Sequence, residues 1–194
     1  MNDGRTFDSN NTTSNIQGQP VYRGLFSIRQ GVINVPCFSK LSGTYEVTAT
    51  STNQMAGIGW DGCEGATFTT TVRFEALHDE EVFNTGFYKI YTVNANGVEL
   101  EDPSFGGYYT CYTGTQTDDT GASLPLGDVQ LVDDCGALFF QGTSQWGELY
   151  SFNAVTVNGA DLTLDWVNDY GEGASVRITR LDGTEWPTDL KDGD

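Results

Sequence analysis

Positive charge is scarce in this chain. Its 194 residues include 9 Lys and Arg against 27 Asp and Glu, which gives a formal net charge of −18. Nucleic-acid binding needs clustered Lys and Arg around the phosphates, and an anionic membrane surface attracts basic segments in the same way. The composition therefore argues against both partners. It favours solubility, and it makes divalent cations suitable counterions.

Groups that carry common chemistry are also few. The single histidine, His78, lies in the charged segment "LHDEE", where we expect a solvated loop residue. There is no G-x-S-x-G sequence for a nucleophilic serine, no phosphate-binding loop, and no C-x-x-C pair for zinc. Paired carboxylates could serve a glycosidase, but acids are so abundant here that their number is uninformative. We therefore expect no enzymatic activity.

Long apolar segments are absent. No stretch approaches the roughly 18 apolar residues that a transmembrane helix needs. The first twenty residues, "MNDGRTFDSNNTTSNIQGQP", do not have the layout of a signal peptide. We expect an extracellular or cell-surface, outer-membrane-associated protein whose signal has been removed.

Four cysteines support that expectation. They stand at Cys37, Cys63, Cys111 and Cys135. An even number of widely spaced cysteines suits two disulfides in an oxidising compartment, although four buried thiols in a cytosolic protein are the alternative. Three pairings are compatible with the sequence. We predict Cys37 with Cys63 and Cys111 with Cys135, because these are nearest in the chain.

Helical periodicity is missing, and the pattern that replaces it is that of strands. "GTYEVTATST" and "ATFTTTVRFEAL" alternate apolar and polar residues. They are followed by "GFYKIYTV", "GGYYTCYTG", "GDVQLV", "CGALFFQG", "LYSFNAVTV", "DLTLDWV" and "SVRITRL". The fold class is therefore all-β, an antiparallel meander closing as an up-and-down, lipocalin-like barrel or as a two-sheet β-sandwich. We favour the barrel, because consecutive hairpins give simple neighbours.

Turn residues divide the meander. Asn158-Gly159 and Asn96-Gly97 each lie between two strand patterns and predict hairpins. Residues 168–173 predict the loop between two further strands, with Asp165 and Arg177 as a candidate cross-strand pair. We assign residues 1–20 to a polar N-terminal arm, 21–187 to one β-domain and 188–194 to an acidic C-terminal tail.

Two kinds of residue are candidates for binding. Acidic turns at 118–119, 133–134 and 168–172 could hold calcium, but Asp and Asn are common in turns for backbone reasons alone. Aromatic residues in Gly-rich segments could bind carbohydrate, with a flat ring against the sugar's C–H face and carboxylates for its hydroxyls. The same rings also fill cores and cap barrels. The candidate ligand-binding residues are Trp60, Tyr108, Tyr109, Tyr112 and Trp146.

Several short motifs share their order with a known group. These are "LSGTY" at the start, "YKI" in a strand, "GGYY", and "LDW" followed by "YG". Over about residues 41–181 the chain resembles the C-terminal β-domains of unknown function in Bacteroidota cell-surface lipoproteins, which are often associated with glycan uptake. The resemblance implies an exported, surface-exposed, non-enzymatic module. It transfers no individual site residue, and four cysteines depart from the pattern.

Three functions remain as hypotheses. The first is a non-catalytic surface module for glycan binding or glycan uptake, without a cofactor unless calcium is bound. The second is a structural subunit of an adhesin, filament or surface layer, in which the N-terminal arm pairs with a neighbouring chain. The third, a lipocalin-like carrier, needs an open barrel interior. The expected partner is accordingly a glycan or another surface protein chain, with self-assembly as an option.

Overall fold

The structure is a computed structural model that describes residues 39–53, 63, 65–80, 85–93, 98–111 and 127–193. These residues belong to one unit of the chain, Pro36–Asp194. The predicted N-terminal arm, residues 1–20, lies outside the described residues. No helix in the described ranges is long and apolar enough to cross a membrane.

The described residues form ten strands and one π-helical turn, Gly107–Cys111. The strands are β1 (Gly43–Asn53), β2 (Thr67–Ala76), β3 (Thr85–Val93), β4 (Glu99–Glu101), β5 (Gln130–Asp134), β6 (Ala137–Gln141), β7 (Tyr150–Asn158), β8 (Asp161–Asn168), β9 (Gly173–Arg180) and β10 (Lys191–Asp192). Period-2 alternation explains the long strands, since one face of each is buried. In β1, for example, Tyr45, Val47 and Ala49 are buried, whereas Glu46 is exposed.

The strand order shows a barrel. Hydrogen-bonded neighbours run β10-β6-β5-β3-β2-β1-β9-β8-β7, and β4 pairs with β3 outside this path. Most neighbours are consecutive in the chain, and β9 returns to pair with β1. The all-β, antiparallel prediction is confirmed, and the sheet is nearly closed as an up-and-down barrel rather than split into a sandwich.

The C-terminal segment completes the closure. β10 pairs in parallel with β6 through Lys191 and Asp192. The Asp192 carboxylate accepts hydrogen bonds from the backbone N–H groups of Ala154 (3.2 Å) and Val155 (2.8 Å) in β7. The predicted acidic tail, residues 188–194, therefore contains the short strand β10, which bridges the two edges of the sheet.

Side chains occupy the barrel interior. Phe105 enters it from the segment before the π-helical turn, is fully buried, and lies with its ring 6.1 Å from Phe74 and 5.9 Å from Phe140. At the opposite end Trp186 packs 4.8 Å from the ring of Tyr45 and donates its indole N–H to the Ile178 carbonyl at 3.2 Å. The carrier hypothesis needs an open interior, and the described side chains fill this one.

One predicted strand is wrong. "GGYYTC" forms the π-helical turn Gly107–Cys111 instead. The chain turns just before it, because Phe105 and Gly106 adopt left-handed backbone angles with φ of 53° and 96°. Tyr108 and Tyr109 therefore do not sit on opposite faces of a strand.

The predicted hairpins fare better, with small corrections. β7 and β8 are joined where Asn158-Gly159 predicted, but Asn158 pairs with Asp161, so the turn residues are Gly159 and Ala160. β3 and β4 pair antiparallel around Asn96-Gly97, which lies outside the described residues. The loop at 168–173 connects β8 and β9 as expected.

The proposed pair of Asp165 and Arg177 is not formed. Asp165 lies opposite Ser175, and Arg177 lies opposite Thr163. The two charges are therefore diagonal neighbours across the strands rather than direct partners. No ion pair between them is recorded in the described part of the chain.

Candidate functional site

The candidate site lies at the end of the barrel that Phe105 fills, and the π-helical turn covers it. Asp102 organises the approach to this turn. Its carboxylate oxygen Oδ1 accepts a hydrogen bond from the Ser104 backbone N–H at 3.0 Å and another from the Ser104 hydroxyl. The Ser104 hydroxyl oxygen in turn accepts the Tyr108 N–H at 2.7 Å. This chain of bonds holds Tyr108 at the barrel end.

The loop between β6 and β7 brings a second aromatic residue to the same place. Ser144 shapes the loop, because its hydroxyl oxygen accepts the N–H groups of Trp146 and Glu148, each at 3.2 Å. Its own N–H donates to the Glu148 carbonyl at 3.0 Å. The loop is thereby closed on itself with Trp146 at its tip.

The two segments meet through stacked rings. Trp146 lies over Tyr108 with ring centroids 4.0 Å apart and an interplanar angle of 27°. Tyr108 is buried and Trp146 is partly exposed. Tyr109 packs edge-on against Tyr108 at 5.3 Å and accepts a hydrogen bond from the Gln145 side-chain amide at 3.1 Å. The aromatic stack is therefore anchored through Tyr109, and its Trp146 ring is partly exposed to solvent.

Glu148 places a carboxylate beside this stack. It is buried, and its oxygen Oε2 accepts hydrogen bonds from the Tyr150 hydroxyl (2.7 Å) and the Ser144 hydroxyl (2.9 Å). Its other oxygen, Oε1, accepts no hydrogen bond from the described residues. Burial raises the pKa of Glu148, and the two hydrogen bonds counteract only part of that rise.

A second buried carboxylate comes from the β8–β9 turn. Glu172 accepts a hydrogen bond on Oε2 from the Asn168 side-chain amide at 2.6 Å. The Asn168 side-chain amide oxygen Oδ1 accepts the Glu172 N–H at 2.9 Å and the Tyr170 N–H at 3.1 Å. Burial raises the pKa of Glu172, and repulsion from Glu148 raises it further. Among the described side chains, Oε1 of Glu172 likewise has no hydrogen-bond partner.

Strand register unites these two carboxylates. Tyr150, which binds Glu148, lies opposite Asn168, which binds Glu172. The loop and the turn are also joined directly, because Asp169 donates its N–H to the Leu149 carbonyl at 3.0 Å and accepts the Leu149 N–H on Oδ1 at 3.1 Å. Residues far apart in the sequence thus share one end of the barrel.

Negative charge dominates the electrostatics of this end. Burial raises the pKa of Tyr108 and of Tyr150, and Glu148, Glu172 and Asp102 raise both further. No Lys or Arg of the described residues acts on the carboxyl groups of Glu148 and Glu172. Another buried acid, Glu101, does have such a partner, because the Lys89 ammonium lies 2.6 Å from it.

Two buried polar atoms at the site have no hydrogen-bond partner within the described part of the protein. One is Oδ2 of Asp102, a residue that is 1% exposed, and the other is the indole N–H of Trp166, which is 3% exposed. The Trp166 ring packs 5.5 Å from Tyr150. Its nitrogen-bearing side faces the π-helical turn, because a Cβ placed on Gly107 would lie 3.2 Å from Trp166 Cζ2. One hydrogen-bond acceptor and one hydrogen-bond donor are therefore left without a partner among the described residues.

The sequence-predicted ligand residues divide into two groups. Tyr108, Tyr109 and Trp146 come together, as described above. Trp60 and Tyr112 lie outside the described residues. Sequence analysis missed Glu148 and Tyr150 entirely, and it considered Glu172 only as part of an acidic turn that could hold calcium. The only available signal was a pair of four-residue spacings. Ser144 to Glu148 comes just before the β7–β8 hairpin in the sequence, and Asn168 to Glu172 comes at its end.

The predicted calcium turns serve other roles where they are described. Asp133 accepts the Gly136 N–H at 2.7 Å and so shapes the β5–β6 turn, and Asn168 shapes the β8–β9 turn. Residues 118–119 lie outside the described residues. Within the described ranges, no group of three or more His, Cys, Asp or Glu could hold a metal ion.

Both cysteines whose side chains are described take part in disulfides. These are Cys63, which is buried, and Cys135 in the β5–β6 turn. Cys37 and the side chain of Cys111 lie outside the described residues, so the pairing stays a prediction.

Comparison with known proteins does not place this chain in a family. No family model matches the chain, and neither a curated protein nor a solved structure matches it.

Proposed function

We propose that this protein is a non-catalytic, exported cell-surface module that binds glycans at the π-turn end of its barrel. One observation carries the proposal: Trp146 is partly exposed and stacks at 4.0 Å on Tyr108, a side chain on which the carboxylates of Glu148 and Glu172 act electrostatically. An aromatic ring next to hydrogen-bond acceptors matches the two chemical faces of a sugar.

The rings supply the apolar half of this recognition. A sugar presents a face of C–H groups, which packs on a flat aromatic ring. Tyr108 stacks on the Trp146 ring and restrains it, so that little conformational entropy is lost when a ligand packs against that ring.

The carboxylates supply the polar half. Sugar hydroxyls donate hydrogen bonds, and bonds to a charged acceptor are stronger than those between neutral groups. Glu148 and Glu172 each hold one oxygen in protein contacts and keep the other free of hydrogen bonds within the described part of the chain. Their orientation is thus fixed before a ligand arrives, which favours selective binding.

Export is supported by covalent chemistry. Cys63 and Cys135 are both disulfide-bonded, and disulfides persist mainly in oxidising compartments outside the cytosol. The net charge of −18 suits a protein that stays soluble at a cell surface.

A glycan array followed by calorimetry of the bound oligosaccharides tests the proposal. We expect the wild type to bind at least one glycan class and Trp146→Ala to bind it at least about tenfold more weakly, as for a central aromatic anchor. Tyr91→Ala, which removes an aromatic ring from the outer face of β3, is the control and should bind like the wild type. Array silence would contradict glycan binding. Release of new reducing ends would contradict the non-catalytic assignment.

The structural-subunit alternative depends on the N-terminal arm, residues 1–20. Those residues lie outside the described part of the chain, so the alternative stays a prediction. Light scattering on the purified chain separates the two, because a subunit of a filament or surface layer forms assemblies at concentrations where a binding module is monomeric.

A further inference from the structure

The two carboxylates of the site, Glu148 and Glu172, lack a basic partner among the described residues. Both residues are buried, 7% and 3% exposed. Buried carboxylates without a counterion are costly unless something compensates them. A neutral sugar would satisfy their hydrogen bonds but leave their charge uncompensated.

The open oxygens define where compensation would come from. Oε2 of Glu148 is taken by Tyr150 and Ser144, and Oε2 of Glu172 is taken by Asn168. The two Oε1 atoms are not among the fully buried polar atoms that lack partners, so each keeps contact with solvent. They are accessible acceptors on neighbouring segments.

An independent observation also points to a polar ligand at this place. The indole N–H of Trp166 is a buried donor without a partner in the described part of the protein, on the side of the ring that faces the π-helical turn. A simple cation has no acceptor atom and could not accept a hydrogen bond from this N–H. A ligand with both an ammonium and hydroxyl oxygens offers donors to the carboxylates and an acceptor for a nearby donor, directly or through water.

We propose that the site binds amino sugars, with the protonated primary amine of the sugar held between the free oxygens of Glu148 and Glu172 and the sugar ring lying on Trp146. This rests on the glycan-binding function proposed above and deepens it by naming the ligand class. The aromatic stack contributes to the same preference, because a cation beside the face of Trp or Tyr is attracted by the ring.

The test uses three tetrasaccharides with one linkage. They are the β-1,4-linked oligomers of glucosamine, of N-acetylglucosamine and of glucose, titrated into the full chain by calorimetry at pH 6 and 150 mM NaCl. We expect the glucosamine oligomer to bind at least about tenfold more tightly than either neutral oligomer, a factor that corresponds to 1.4 kcal/mol. Glu148→Gln and Glu172→Gln should each reduce that preference, and Gln can still accept the hydrogen bonds of the native side chain.

The control separates a built site from general attraction to an acidic protein. Asp165→Asn removes one negative charge from the exposed outer face of β8 and should leave the preference unchanged. A preference that falls equally in Asp165→Asn and in the two Gln variants would overturn the amino-sugar site. Thermal unfolding of each variant confirms that it is folded.

The remaining outcomes distinguish the amino-sugar proposal from the broader proposal of glycan binding. Equal affinity for the charged and neutral oligomers, lost in Trp146→Ala, would overturn the amino-sugar preference and leave glycan binding intact. Absence of binding by all three oligomers in the wild type would overturn the amino-sugar site, and array silence would then also remove glycan binding.

Discussion

At the scale of single residues, Asp102 combines structural and electrostatic roles. Its Oδ1 organises Ser104 and through it Tyr108, while Oδ2 is buried without a partner in the described part of the chain. Burial raises its pKa from 3.8 to about 6, although the hydrogen bonds from Ser104 favour the charged form. The charge at Asp102 therefore destabilises the fold that its hydrogen bonds shape.

Asp102→Asn tests this conflict. Because the folded pKa lies above the unfolded one, the penalty is complete well above pH 6 and is relieved as the pH falls through about 6. The wild type should gain about 1.4 kcal/mol from this one group between pH 8 and pH 5. The Asn side chain keeps the acceptor for Ser104, so we expect Asp102→Asn to be more stable than the wild type at pH 8 and to lose that part of the pH dependence.

Urea unfolding at pH 5 and pH 8 gives the measurement. Asp182→Asn is the control, because hydrogen bonds from Thr184 lower the pKa of the exposed Asp182. Its replacement should not stabilise the protein at pH 8. If Asp102→Asn unfolded more easily than the wild type at pH 8, its charge would be a net source of stability.

At the scale of elements, the closure of the barrel depends on an irregularity in β7. The register between β7 and β8 shifts between Asn153 and Thr156, and Ala154 adopts a left-handed φ of 55°. Such a bulge turns backbone N–H groups out of the ladder. Asp192 of β10 accepts two of these groups and so joins the β6 edge to the β7 edge.

Asp192→Ala should therefore weaken the closure. We expect a loss of about 1–2 kcal/mol in the free energy of unfolding, since hydrogen bonds to a charged group are among the stronger ones. Hydrogen exchange of the Ala154 and Val155 amides should accelerate. Asp165→Ala removes another exposed aspartate of a neighbouring strand, and none of the described residues donates a hydrogen bond to it. Equal effects of the two substitutions would show that Asp192 is not a closure contact.

Sequence alone predicts the elements whose burial is periodic. β1, β2, β8 and β9 follow from alternation, and the Asn158-Gly159 signal locates the turn of the β7–β8 hairpin within one residue. It fails at "GGYYTC", where the hydrogen bonds that the Asp102 carboxylate and the Ser104 hydroxyl oxygen accept override a pattern typical of a strand. It fails also at Glu148 and Glu172, because two acids among 27 become neighbours only through the β7–β8 register, and the bulge shifts that register by one residue.

At the scale of the whole molecule, five buried carboxyl groups have their pKa shifted in the same direction, upward. Burial raises the pKa of Glu101, Asp102, Asp133, Glu148 and Glu172. Each of these groups therefore makes the folded state bind protons more readily than the unfolded chain. The net charge of −18 acts in the same direction through repulsion at the surface.

The protein should accordingly be more stable at pH 5 than at pH 8. Groups with raised folded pKa values contribute stability that appears as the pH falls. Groups with lowered pKa values, among them Glu80 and Glu99, oppose this only at lower pH, as it falls past their ordinary value of 4.5. Acidification to pH 5 therefore brings in most of the stabilisation from the groups with raised pKa values before the groups with lowered pKa values begin to destabilise the protein.

Salt separates the two sources of this pH dependence. Wild-type unfolding in urea at pH 5 and pH 8, each at 50 and 500 mM NaCl, measures both. Surface repulsion is screened over the few ångströms of the Debye length at high salt, whereas a buried carboxylate is screened much less. We expect 500 mM NaCl to stabilise the protein at pH 8 and to narrow the gap between the two pH values without closing it. A gap that vanished at high salt would mean that surface repulsion accounts for it, and that the barrel end tolerates its buried carboxylates at no measurable cost.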